Sequence, residues 1–332
     1  MVSRLLHPTL SKCFIKEPKP VEPATLESEM PIRLWNFKAE QRVFQIGGIS
    51  IGGVPGQRPV VLVGTLFYHG HKVVKDENAG AFDEAAAEVL VKAQDEMSDK
   101  TGNPAMIDVV GASVPAMKKY LEFVVDRTKA PIMIDSPSAE IRAVGLSYAK
   151  EQGFLDRVVY NSINPSSKPD ELKTLRESGV TSSVFLAYNM KDFSTAGRTS
   201  AIKELVSKRQ EFGIEKPLID TCVMDLPTLG SALRAMYELK DELGFPVGCG
   251  AHNAVALWKG LKTKMGEQAV KPCLASVNAI SAAVGADFIL YGPIDDARVV
   301  FPAVAMVDTA YSQLPIEKKI QIPRTHPRYR IG

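Results

Sequence analysis

The sequence predicts an α/β protein built around a (β/α)8 barrel, and three observations carry that expectation. Eight short apolar runs alternate with helical patterns at a spacing of roughly 25–45 residues, the rhythm of eight strand–helix units. Runs such as Ile132–Asp135 and Val158–Ser162 have no wet face, so they belong in a buried parallel sheet. Both end on polar pairs, Asp135-Ser136 and Asn161-Ser162, at the carboxyl end where α/β proteins place their chemistry. An open doubly wound sheet would need a glycine-rich fingerprint after its first strand, and GTLFYHGHK is not one.

Taken in order, residues 1–41 read as an N-terminal arm rich in Pro, Lys and Glu, without the apolar core of a signal peptide. Residues 42–313 form the barrel, opened by a β-hairpin around Gly47-Gly48. That glycine pair is not a phosphate loop, because neither a helix start nor GK[ST] follows it. Expected strands are Val60–Thr65, Met106–Val110, Ile132–Asp135, Val158–Ser162, Ser183–Tyr188, Pro217–Cys222, Pro246–Gly250 and Asp287–Tyr291. Expected helices are Asp83–Lys100, Pro115–Thr128, Ala139–Gly153, Asp170–Ser178, Gly197–Phe212, Leu229–Leu243, Leu274–Val284 and Ala297–Ser312, with an extra amphipathic segment over Ala254–Met265. Asn103-Pro104, Gly179 and Gly244 stand where helices should stop. Residues 314–332 form a basic, proline-broken tail expected to lie extended on the barrel or on a neighbouring subunit.

Composition narrows the function. Lys+Arg 40 against Asp+Glu 38, with no lysine run interleaved with aromatics, gives no nucleic-acid surface. No apolar run approaches the roughly 20 residues of a membrane span, so no membrane insertion is expected. The four cysteines, Cys13, Cys222, Cys249 and Cys273, form no CxxC pair, which fits a reducing, cytoplasmic setting.

A barrel mouth is assembled from residues just after each strand. Here these are Thr65, Tyr68, His69, His71, Lys72, Asp108, Asp135, Asn161, Asn164, Asn189, Asp220, His252, Asn253 and Tyr291. No serine–histidine–acid motif and no Schiff-base lysine is among them. His69, His71 and His252 with Asp108 or Asp135 would make a metal site conceivable, but no HExxH pairing supports one, and no metal is expected. Carboxylates and amides together suit a flat heterocycle with adjacent N–H donors beside a carbonyl, such as an amino-pyrimidinone edge.

The segments VLVGTLFYHGHK, EMSDKTGNPAMIDVVG, APIMIDSPSAE, DRVVYNSIN, KPLIDT, FPVGCGAHNA and DFILYGPIDDARVVFPAVAMVD closely resemble the MtrH subunit of tetrahydromethanopterin S-methyltransferase and the methyltetrahydrofolate:corrinoid methyltransferases. The resemblance covers about Phe44 to Thr309. It implies a pterin-binding TIM barrel that moves a methyl group between N5 of a tetrahydropterin, either tetrahydrofolate or tetrahydromethanopterin, and the cobalt of a corrinoid. It also implies that Asp135, Asn161 and Asp220 hold the pyrimidinone edge, that Asn253 sits catalytically near N5, and that Asp108, Ser162 and Asn164 complete the substrate site. No DxHxxG corrinoid-binding signature is present, so cobalamin is expected on a partner protein docking over the mouth, against GCGAHNA and YHGHK. A homodimer is the family expectation. Competing readings are a dihydropteroate synthase-like condensation, for which the last two strand ends lack the basic residues a diphosphate leaving group needs, and a non-catalytic scaffold role within a methyltransferase complex.

Overall fold

A computed structural model describes residues 35–332; the expected arm lies outside it except for its last seven residues. The chain opens with an antiparallel hairpin, β1 (Val43–Ile46) and β2 (Ile49–Gly52). The first barrel strand, β3 (Val61–Leu66), leads into a small second hairpin, β4 (Val74–Asp76) and β5 (Ala81–Phe82), which is not among the expected elements. The Asp76 carboxylate accepts from the Asn78 and Ala79 N–H groups and closes its turn. Helix–strand alternation then runs through α1 (Glu84–Thr101), β6 (Ala105–Val110), α2 (Val114–Arg127), β7 (Ile132–Asp135), α3 (Ala139–Glu151) and β8 (Val158–Ile163). It continues through α4 (Pro169–Ser178), β9 (Ser182–Leu186), α5 (Thr195–Ser207), β10 (Lys216–Asp220), α6 (Leu226–Leu243) and β11 (Val247–Cys249). It finishes with α7 (Asn253–Ala256), α8 (Val270–Val284), β12 (Phe288–Pro293), α9 (Ala297–Tyr311) and α10 (Gln313–Glu317). The eight strands β3 and β6–β12 pair in parallel and close into a barrel in chain order.

Two apolar cores follow from the two-residue period of the strands. Leu62, Ile107, Ile134, Tyr160, Phe185, Ile219 and Ile289 pack with the helices. Their neighbours Val61, Val63, Met106, Met133, Val159, Val184, Leu218, Phe288 and Leu290 cluster separately, inside the barrel. Ile46 and Ile51 of the hairpin join this inner cluster and plug its amino end. A Cβ on Gly248 would run into the Phe288 carbonyl oxygen and lie 2.9 Å from its ring, so glycine leaves the space that Phe288 fills.

Helix termini carry their own signals. Asp83, Ser113, Ser194 and Asp225 cap α1, α2, α5 and α6 with side-chain oxygens, and Gly179 and Gly244 end α4 and α6 in the left-handed conformation. The segment expected as one amphipathic helix over Ala254–Met265 is instead the single turn α7 and a separate π-helical turn, Leu261–Met265, with Gly260 between them. The tail is not simply extended. It contains α10 and a 3-10 turn at Pro327–Tyr329, buries His326, and donates from Arg328 Nη1 to Ser312 Oγ at 3.1 Å. A continuous helical run, Ile294–Glu317, is long and apolar enough to cross a membrane, which corrects the expectation drawn from apolar run length. In the fold it is a barrel helix, with Val300, Phe301, Val304 and Ala305 buried against the strands.

Candidate active site

The inner core sets the position of the site. Thr65, Asp108, Asp135, Asn161 and Asp220 each follow an inner-core residue by two positions: Val63, Met106, Met133, Val159 and Leu218. The strand period therefore turns all five inward, one layer nearer the carboxyl end. Asp108 accepts from Thr65 Oγ1 and from Asn161 Nδ2, both at 3.2 Å, and Asp135 lies opposite Asn161 in the sheet register. Across the mouth, Asp220 Oδ1 accepts from the Cys222 N–H at 2.7 Å, a bond made possible by the left-handed backbone of Cys222, φ 61°. The next carbonyl, Val223 O, accepts from Asn253 Nδ2 at 3.0 Å, which leaves Asn253 Oδ1 as the acceptor offered to a ligand.

Burial dominates the electrostatics. Asp220 is pushed up to about 6 by burial, against the Cys222 N–H. Asp135 is likewise raised to about 6 by burial, against the positive charge of Arg142 and the Ser136 N–H. Asp108, 2% exposed, is raised well above the usual carboxylate range by burial and then by the charge of Asp135. Two carboxyls this close share one proton, and Asp108 holds it.

Other mouth residues behave differently. Asn164 Oδ1 accepts from the Ser166 N–H and shapes the β8–α4 loop, and the Ser162 hydroxyl makes no hydrogen bond among the described residues. Tyr291, expected at the mouth, is buried in the wall between β12 and α1, where its hydroxyl donates to Gln94 Oε1. The three histidines have three separate partners. His69 pairs with Glu77, exposed to solvent. His71 accepts the Phe67 N–H at Nδ1 and faces Asp295 with Nε2 at 3.2 Å. His252 donates from Nδ1 to Leu290 O at 3.0 Å, and burial lowers its pKa, so at neutral pH it is an uncharged imidazole and no strong acid. No group of three metal-ligating side chains occurs among the described residues.

Two arginines went unnoticed in the sequence, Arg142 on α3 and Arg198 on α5. Arg142 donates to Ser136 O, to Tyr160 Oη at 2.9 Å and to Glu171 at 2.7 Å. Arg198, fully buried, donates to Thr221 O at 2.9 Å and to Cys222 O at 3.1 Å. A cleft of about 800 Å³ lies at the opposite end, between Gly47-Gly48, Thr128–Ala130 and Arg330. Its mixed surface charges do not converge as the strand-end groups do.

The backbone fold is that of dihydropteroate synthases. The Yersinia pestis enzyme matches with a TM-score of 0.56 at 15% identity, over 81% of this chain and 98% of its own. The Xanthomonas albilineans enzyme matches with a TM-score of 0.55 at the same identity and coverage. Sequence comparison defines the family more narrowly. Residues 39–323 match the model of the tetrahydromethanopterin S-methyltransferase MtrH subunit. The corresponding protein of tetrahydromethanopterin S-methyltransferase from Methanothermobacter thermautotrophicus is 40% identical, over 90% of this chain and all of the relative. Its Methanopyrus kandleri counterpart is 40% identical over 81% of this chain and 90% of its own. The Methanocaldococcus jannaschii counterpart is 38% identical over 89% and 98%. The chain belongs to the MtrH family of methyltransferase subunits.

Proposed function

We propose that the chain transfers a methyl group between N5 of a tetrahydropterin and the cobalt of a corrinoid held by a separate partner protein. The observation that carries this reading is the inward layer of Asp108, Asp135, Asn161 and Asp220 in a barrel of the MtrH family. Ionised Asp135 and Asp220 accept the N–H groups of the pyrimidinone edge, and the Asn161 amide completes that edge. Asp108, holding its proton, takes no second negative charge into the same pocket. Asn253, with its N–H committed to Val223 O, accepts from a protonated N5 and stabilises the positive charge that makes this nitrogen a leaving group. The bond between N5 and the methyl carbon then breaks with its electron pair left on N5. His252, uncharged and hydrogen-bonded to Leu290 O, does not deliver the proton, which comes from solvent.

The corrinoid, when bound, supplies the nucleophile in one direction and the methyl group in the other, so this chain provides none itself. The rim is suited to a docking partner: Met190, Leu257 and Met265 are exposed in the loops after β9 and β11. The names of the relatives favour tetrahydromethanopterin over tetrahydrofolate. A cytoplasmic homodimer working from methylcorrinoid towards the pterin in one-carbon catabolism completes the proposal.

Titration with tetrahydrofolate and tetrahydromethanopterin tests it, beside the double variant Asp135→Asn, Asp220→Asn. One pterin should bind in the micromolar range and the variant should not, since each charged hydrogen bond lost costs on the order of 1.5–3 kcal/mol. Absence of binding by both pterins, or equal binding by the variant, overturns the assignment.

A further inference from the structure

We infer that Arg142 and Arg198 are paired positioning residues, each reaching in from a helix outside the barrel to fix the carbonyl that follows one of the two edge-binding aspartates. Arg142 donates to Ser136 O, next after Asp135, and Arg198 donates to Thr221 O, next after Asp220, and to Cys222 O. The inference rests on the pterin reading of those aspartates.

The two clamps share a geometry but differ in chemistry. Arg142 is balanced by Glu171, with Tyr160 donating to the same Glu171 oxygen at 2.6 Å, so its fork is held in one orientation. Arg198 makes no ion pair among the described residues, and its partners are carbonyl oxygens, Ser194 O included. A buried guanidinium loses hydration that carbonyls only partly replace, and an apolar side chain of similar volume fills such a space at lower cost. A packing role therefore does not account for an arginine here. What an arginine adds is a planar fork that holds two carbonyls in a fixed relation. That fork holds the Thr221–Cys222 turn from the α5 side while Asn253 holds Val223 O from the β11 side. Between them the turn keeps the Cys222 N–H on Asp220 Oδ1, which orients the carboxylate.

The charges around each aspartate make the two roles separable. Asp135 faces Asp108 from β6, Asn161 from β8 and Arg142 from α3, with Tyr160 and Glu171 of β8 and α4 behind the arginine. Removing the positive charge of Arg142 raises the pKa of Asp135, so the pH limb below which pterin affinity is lost moves upward. Asp220 faces the Cys222 N–H and the thiols of Cys222 and Cys249, with Arg198 turned to the carbonyls behind it. Removing Arg198 lets the carboxylate wander without moving that limb.

The test is equilibrium titration of the full chain with tetrahydromethanopterin from pH 5 to 8, for wild type, Arg142→Met, Arg142→Lys, Arg198→Met and Arg198→Lys, with thermal midpoints measured alongside. Both methionine variants should weaken binding about tenfold. Arg142→Met should move the acid limb up by roughly one pH unit, and Arg142→Lys should leave it in place. Arg198→Met should leave the limb unmoved, and Arg198→Lys should recover part of the affinity through one carbonyl. If a methionine variant does not fold, its lysine counterpart still reports affinity and limb. Wild-type affinity and an unmoved limb in folded variants overturn the positioning role, as does a loss of binding that only tracks the unfolded fraction. Failure of the wild type to bind any tetrahydropterin overturns instead the pterin reading beneath it.

Discussion

Ionising Asp220 in the free protein is costly, because its carboxylate is buried and receives one backbone N–H. Its pKa of about 6 in the folded chain lies above the ordinary value, near 3.9. The folded state therefore binds more protons between those values, and stability falls as pH rises from about 4 through about 6. At pH 7 the ionised group destabilises the fold by on the order of 2–3 kcal/mol. Asp220→Asn keeps an oxygen for the Cys222 N–H and removes that charge. It should raise the thermal midpoint at pH 7 by several degrees while weakening tetrahydropterin binding at least tenfold; a lower midpoint on a calorimetric scan would contradict the burial argument. Asn253 stands apart because its acceptor acts on charge that develops during transfer. Asn253→Ala should lower kcat on the order of 10²-fold with pterin Kd changed less than about threefold, as single-turnover kinetics and titration can separate.

At the scale of elements, the amino end of the barrel is tied by polar bonds that the site does not use. Lys240 on α6 donates to both oxygens of Asp287 at 2.8 and 2.6 Å, and Asp287 also accepts the Val247 N–H at the start of β11. Lys240→Met strands a buried carboxylate and should cost about 3–5 kcal/mol in a denaturant titration, with the pterin affinity of the folded protein unchanged. Strand ends were legible in the sequence because apolar runs stop on Asp or Asn, and Asp108, Asp135, Asn161 and Asp220 also carry inward parity with respect to the core residue two places before. Tyr291 was misplaced for want of that parity check: Leu290 turns inward, so its neighbour turns outward into Gln94. The hairpin was readable as a hairpin but not as a plug, since nothing local says that Ile46 and Ile51 meet Val61 and Leu218. Arg198 was illegible for the same reason, its carbonyl partners lying 23 and 24 residues further along the chain. The segment after β11 has helical periodicity, yet Gly260 and the close of the barrel divide it into separate turns.

For the whole molecule, binding and proton uptake are one equilibrium. The free protein at pH 6 carries Asp135 and Asp220 each about half protonated, while Asp108 holds its proton throughout. A tetrahydropterin edge that donates N–H groups selects the ionised form of both aspartates and so lowers their pKa values. Binding should then release about one proton per pterin at pH 6, half from each group, and close to none at pH 8. Affinity should fall steadily as pH drops below 6, because the ligand must first drive those protons off. Calorimetric titration in two buffers of different ionisation enthalpy measures the release directly. The double variant Asp135→Asn, Asp220→Asn serves as the blank for any proton carried by the pterin itself. A buffer-independent heat at pH 6 in the wild type would mean that the edge meets neutral carboxyls. The two aspartates would then be donors rather than acceptors, and the orientation of the pterin in the mouth would have to be reversed.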